Sequence, residues 1–260
     1  MKQRMQHKWA RRAMSCFFLA LFSLLVGGIP GALAHADSYT LEGWGGYLGA
    51  ARNNYSGVDA SWVVPKISSN TPVGAAEIWI GLGGFYDNRI IRAGVRLDHY
   101  YDTSGEHMLY RAFVQNDQYV FTTYPGDQIH ATVFANGSIK ITDESQPNVT
   151  ASRHLLVSVD TRTADFIIEK PGGPSKPATY LAAFSPFTFK ACYVYWNNND
   201  NGQSLYLEQF LYRLIIHSDT SAYAYGTISL SNLDQFGNFK VTDLILYPPY
   251  SYSTCGPWPC

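Results

Sequence analysis

Residues 77–95 read E-I-W-I-G-L-G-G-F-Y-D-N-R-I-I-R-A-G-V, two short apolar runs joined by a glycine-rich corner. In the first run Ile78, Ile80 and Leu82 alternate with Trp79 and Gly81, a period of two that belongs to a β-strand and not to a helix. Gly83 and Gly84 then allow the backbone to turn tightly. The second run, 90–95, is again strand-like, and Arg92 stands close to Gly94, where the missing side chain leaves room beside the backbone. Two readings of the corner are open at this level: a hairpin whose glycines only turn the chain, or a site built over the gap.

The same pattern recurs on both sides. Strand signals rich in Val, Ile, Thr, Tyr and Phe fall at 60–67, 77–82, 90–97, 108–115, 119–123, 128–134, 138–142, 154–159, 165–169, 187–196, 223–229 and 239–246. Asn136-Gly137 between two alternating runs is a strong hairpin turn, and Tyr124-Pro125-Gly126-Asp127 and Lys170-Pro171-Gly172-Gly173 separate others. Residues 41–49, L-E-G-W-G-G-Y-L-G, are aromatic and glycine-rich and unlike a helix start. Only 205–217 has a pattern compatible with a helix. The expected fold is all-β, an antiparallel two-sheet β-sandwich of the concanavalin-like or jelly-roll type.

The first 36 residues do not belong to that fold. Lys2, Arg4, Lys8, Arg11 and Arg12 form a basic start, an apolar run follows at 14–26, and Ala34-His35-Ala36 is a small-x-small cleavage site. This reads as a secretory signal peptide, with an apolar run too short to span a bilayer comfortably, so the mature protein is expected to be secreted and free of membrane. Removing it leaves 14 of the 19 Lys and Arg against 20 Asp and Glu, a net charge of −6. Nucleic acid, which calls for a clustered basic face, is thereby excluded as a partner. The remaining 224 residues, 37–260, suit a single domain, expected as a monomer. Three cysteines remain: Cys192 lies in an apolar run and reads as a buried thiol, while Cys255 and Cys260 are candidates for a small C-terminal disulfide loop.

Several chemistries are absent. There is no G-x-S-x-G, no H-E-x-x-H and no G-x-x-x-x-G-K, and the histidines of the mature chain are scattered without metal-ligand spacing, so no metal or cofactor is expected. Residues 197–208, N-N-N-D-N-G-Q-S-L-Y-L-E, have a loose calcium-loop spacing but begin with Asn and hold only two carboxylates, so a polar surface loop is the better reading. Glu169 ends the run T-A-D-F-I-I-E and shares a strand face with Asp165 and Ile167. A partly desolvated carboxylate in such a place can serve as general base and then general acid, although on this stretch alone a solvated glutamate paired with Lys170 is the better reading.

Taken together, eight segments in order resemble the glutamic peptidases, the eqolisin family of acid proteases. They are E-G-W-G-G at 42–46, S-W-V-V-P at 61–65, W-I-G-L-G-G at 79–84, I-I-R-A-G-V at 90–95, Y-R-A-F-V-Q at 110–115, P-G-D-Q-I at 125–129, A-D-F-I-I-E at 164–169 and L-A-A-F-S-P-F-T-F at 181–189. The resemblance implies a sandwich of two bent antiparallel sheets and a Glu/Gln pair that activates water against a peptide carbonyl. Glu169 matches the Glu. The third residue of I-I-R-A-G-V matches the Gln, and here it is Arg92. The resemblance further implies a peptide-binding cleft with Trp44 and Trp79, in which Arg111, Phe113 and Gln115 take polar and aromatic positions and Gly83 replaces an Asp of fungal members.

An arginine beside Glu169 is expected to form an ion pair with it, making the carboxylate a weaker base and a poorer proton donor. Arg92 could still steady an oxyanion. Two readings follow. One is an endopeptidase working at acidic pH with Glu169 and Arg92 as catalytic residues. The other is an inactive homologue that binds extended peptides or glycans in the retained cleft.

Overall fold

The computed structural model describes residues 36–41, 43–50, 54–69, 73–115, 118–171, 181–196, 201–216 and 227–244. The proposed signal peptide up to residue 35, Glu42, the start of the calcium-like loop at 197–200, and Cys255 and Cys260 lie outside the described residues. Among the described residues there are sixteen strands. In chain order they are β1 (Asp37–Leu41), β2 (Trp44–Ala50), β3 (Tyr55–Val63), β4 (Gly74–Gly83), β5 (Ile90–Asp102), β6 (Gly105–Val114), β7 (Gln118–Thr122) and β8 (Gln128–Phe134). They continue with β9 (Ser138–Asp143), β10 (Val149–His154), β11 (Thr163–Glu169), β12 (Phe187–Trp196), β13 (Gln203–Ser204), β14 (Leu211–Ile216), β15 (Thr227–Leu230) and β16 (Phe239–Leu244).

They form two sheets. The first runs β1-β14-β2-β11-β4-β5-β6-β7 and the second β10-β9-β8-β3-β12-β16-β15, with β13 paired to β12. Every strand pair is antiparallel except β1 with β14. The all-β, two-sheet expectation holds, and its reason is the alternation itself. Ile78, Ile80 and Leu82 of β4, Ile91, Ala93, Val95 and Leu97 of β5, and Phe166 and Ile168 of β11 turn one face of the first sheet inward. Val58, Ala60 and Trp62 of β3 and Ile129, Ala131 and Val133 of β8 do the same for the second. All of these side chains are fully buried, and each large one removed from water stabilises the fold by about 1.5–3 kcal/mol.

Three expectations are corrected. The helix expected at 205–217 is not formed over its described residues, 205–216: a single 3-10 turn at Leu205–Leu207 is followed by β14, whose backbone is shared between β2 and β1. Its run L-Y-R-L-I-I offers β-branched and aromatic side chains to a sheet flanked on both sides, and that pairing outweighs local helical spacing. The strand expected at 154–159 lies earlier, ending at His154. Ser152 and Lys140 are register partners there, so β10 is defined by its pairing with β9 and not by apolar content.

The third correction is β2, central to the first sheet yet not recognised as a strand. Its glycines obscure it, and packing explains them: a Cβ on Gly45 would lie 2.1 Å from Ile228 Cδ1, and one on Gly49 2.7 Å from the Tyr55 hydroxyl.

Candidate active site

The alternation that buries Phe166 and Ile168 turns Asp165, Ile167 and Glu169 to the opposite face of the first sheet. Register then decides their neighbours. Glu169 stands opposite Trp44 of β2 and Glu77 of β4, Glu77 opposite Arg96 of β5, and Arg96 opposite Arg111 of β6. One row along, Ile167 is followed by Trp79, Gly94 and Phe113; in the next, Asp165 is followed by Gly81 and Arg92.

Arg92 therefore starts four residues along β5 from Arg96, the strand's member of the Glu169 row, and Gly94 lies between. Because Gly94 has no side chain, the guanidinium lies between the rings of Trp79 and Phe113, 5.4 Å and 5.2 Å from their centres. Its Nη1 donates to Glu169 Oε2 at 2.6 Å and to Glu77 Oε2 at 2.8 Å. The indole Nε1 of Trp79 donates to the same oxygen of Glu169 at 2.8 Å. The expected ion pair is thus formed, and it is shared with a second carboxylate.

The network extends away from Glu169. Arg96 donates through Nη1 to Glu77 at 3.1 Å and through Nε to Asp98 at 2.8 Å, and Arg111 Nη2 donates to Asp98 at 2.6 Å. Three guanidinia and three carboxylates balance. That balance matters because Glu77 and Glu169 are both buried, and a desolvated carboxylate without a partner is strongly destabilising. Trp44 packs edge-on against Trp79, ring centres 5.0 Å apart, and completes the wall beside Glu169.

The remaining candidates separate. Gln115 does not supply a substitute amide: its Nε2 donates to the Ile90 carbonyl at 2.8 Å, and its backbone adopts a left-handed φ of 51° at the end of β6. Gly83 has φ +82°, and a Cβ there would meet the carbonyl oxygens of Arg89 and Asp160 at 2.3 Å and 2.5 Å, so no aspartate fits. Arg111 lies on β6, three strands from β11. Glu208, the last residue of the calcium-like loop, is buried and accepts a hydrogen bond from the Tyr55 hydroxyl at 2.8 Å, and no metal-binding cluster occurs among the described residues. The polar-surface reading of that loop is thus corrected at Glu208. Cys192 is a buried free thiol, as its apolar run implies.

Sequence reasoning missed Glu77, Arg96 and Asp98. The signal was present: Glu77 shares the period-two face of Trp79, and Arg96 and Asp98 follow Arg92 and Gly94 at the same spacing. A glutamate inside an otherwise apolar strand needs a cation, and the register with β5 supplies two.

Chemically, an arginine is not an amide. A glutamine side chain can both donate and accept a hydrogen bond, so it can orient a water and also steady an oxyanion; a guanidinium only donates. Here its donor is already directed at Glu169.

Residues 42–232 match the Peptidase A4 family. No curated protein shows a significant sequence match to the chain. Among solved structures, SCP-B, a member of the eqolisin family of peptidases determined in complex with the tripeptide Ala-Ile-His, is 19% identical over 78% of this chain and 98% of its own, with a TM-score of 0.57. Scytalido-glutamic peptidase with a transition-state analogue inhibitor is 18% identical over the same shares, also with a TM-score of 0.57. At such identity the likeness is one of fold. The match across 42–232, spanning the strands that carry Arg92 and Glu169, shows that the chain belongs to the Peptidase A4 family, the eqolisin or glutamic peptidases.

Proposed function

We propose that the protein is a secreted glutamic-peptidase homologue in which Arg92 holds Glu169 in an ion pair, so that hydrolysis of peptide bonds in acid is lost or much reduced, while the cleft still receives extended peptides. The observation that carries this reading is the 2.6 Å contact from Arg92 Nη1 to Glu169 Oε2, reinforced on the same oxygen by Trp79. To act as general base on water, that carboxylate would have to exchange a charge-assisted hydrogen bond for a neutral one. Arg92 in turn is held between two rings and by Glu77, which opposes its leaving. Peptides are preferred over glycans as the ligand because the family's structural neighbours were determined with a tripeptide and with a peptidase inhibitor. Secretion is supported by the basic and apolar start with its Ala34-His35-Ala36 site.

The test is proteolysis of a denatured protein substrate from pH 2 to 7 by the mature protein, by Arg92→Gln and by Arg92→Gln/Glu77→Gln. The wild type is expected to be silent and the double variant to gain cleavage, because it restores the amide and removes the carboxylate that would otherwise lose a partner. Cleavage by wild type equal to that of the variants would overturn the reading. Retention on glycans with no binding of peptides would replace its second half.

A further inference from the structure

On this face of the first sheet the guanidinia lie closer to solvent than the carboxylates that pair with them. The side chains of Glu77, Glu169 and Asp98 are 1%, 4% and 15% exposed, against 13%, 21% and 32% for Arg92, Arg96 and Arg111. Exposure of the cations rises along the sheet, away from Glu169. Arg96 and Arg111 are direct register partners across β5 and β6, and like charges so placed repel. Asp98 bridges them, one oxygen to each.

That bridge occupies both oxygens of Asp98 but uses little of Arg111. Among the described residues the Arg111 guanidinium makes this one hydrogen bond, through Nη2; its Nε is buried without a partner, and its carbon lies 3.8 Å from the ring centre of Tyr119. A guanidinium pinned through Nη2 by one carboxylate and laid against one ring, with Nη1 unused on a side chain 32% exposed, is preorganised for a second carboxylate.

We propose that Arg111, with Arg96 beside it, is a subsite for a carboxylate carried by a peptide lying in the cleft. The carboxylate is either an acidic side chain or the terminal carboxylate of the peptide, and the recognising chemistry is the same. This rests on the reading of the cleft as a peptide site. Arg111 shares a row with Glu169 and lies three strands away, about 14 Å at the usual strand spacing. A peptide crossing the strands, extended at about 3.3 Å per residue, places a residue over Arg111 about four positions from the one over Glu169. Since the six charges of the network balance, discrimination is short-range, and the ligand must be ionised, which requires a pH above about 4.

The experiment measures binding of labelled, N-acetylated octapeptides to the mature protein at pH 6 by fluorescence anisotropy. One peptide carries a central Glu and an amidated end, one has Gln in its place, and one has Gln with a free C-terminal carboxylate. At least one charged peptide is expected to bind about ten-fold more tightly than the neutral one, and the arm that does so identifies the source of the carboxylate. In Arg111→Gln that ratio should fall to within about two-fold. Arg111→Lys, which keeps the charge without the fork, should give an intermediate ratio and carries the test should Arg111→Gln not fold by circular dichroism. Equal binding of neutral and charged peptides by wild type would overturn the subsite and leave the peptide cleft standing, as would a ratio that survives in both variants. No binding of any peptide would remove both.

Discussion

On the proposed reading, the choice between catalysis and inertness rests on how one guanidinium is held. Arg92 Nη1 is divided between Glu169 and Glu77, with Trp79 and Phe113 on either side. Removing one member of a buried ion pair leaves the other charge uncompensated, at a cost of about 3–5 kcal/mol. Arg92→Gln is therefore expected to lower stability by about 3 kcal/mol, because Glu169 would lose the charge-assisted bond from Arg92 and Glu77 one of its two guanidinium partners. Glu77→Gln added to it should return at least about 1 kcal/mol of that loss, a non-additivity typical of residues in one network. Urea unfolding of the two single variants and the double variant measures the coupling; strictly additive losses would show that Glu77 and Arg92 do not act together.

At the level of the strand, β5 works because it alternates Arg92, Gly94, Arg96 and Asp98 on one face with Ile91, Ala93, Val95 and Leu97 on the other. Gly94 is where the two functions of the strand meet. A Cβ there would lie 2.2 Å from the Ile78 carbonyl oxygen and 2.5 Å from Trp79 Cβ, so Gly94→Ala should force β4 and β5 apart, cost about 1–3 kcal/mol by overpacking and lower Tm by several degrees. An unchanged Tm would mean that the gap beside Arg92 is not needed. The hairpin 77–95 was legible from its period and glycines, and Glu169 and Arg92 from their motifs. Glu77, Arg96 and Asp98 were not, because their meaning depends on which residues register places opposite them, and register is a long-range property. For the same reason β2 and β14 escaped: glycines that admit Ile228 and Tyr55, and a strand held between two neighbours, look locally like a loop and a helix.

Across the whole molecule, several buried acids bias the fold toward acid. Burial pushes Glu208 up to about 7 and Asp243 up to about 6, and raises Asp165 and Asp143 as well. A carboxyl group with a folded pKa above its unfolded value binds its proton more tightly in the folded state. Its contribution is complete below the unfolded value and is lost as pH rises through the folded one. For Glu208 that window runs from about 4.5 to about 7, and for Asp243 from about 3.8 to about 6. Asp160, lowered by its hydrogen bond from Arg162, acts in the opposite direction and is lost below its ordinary range. Stability should therefore peak near pH 4–5 and decline toward neutrality, and Glu208→Gln, which keeps an acceptor for the Tyr55 hydroxyl, should raise Tm at pH 7 but not at pH 4. A Tm that rises steadily from pH 4 to 7 would contradict this. A stability maximum in mild acid would not by itself supply peptidase chemistry, and the two are separated most directly by one comparison. Cleavage of a denatured protein at pH 3–4 is measured for wild type beside Glu169→Gln. With Glu169 held by Arg92, the two are expected to be equally silent; cleavage by wild type that vanishes in Glu169→Gln would contradict the account.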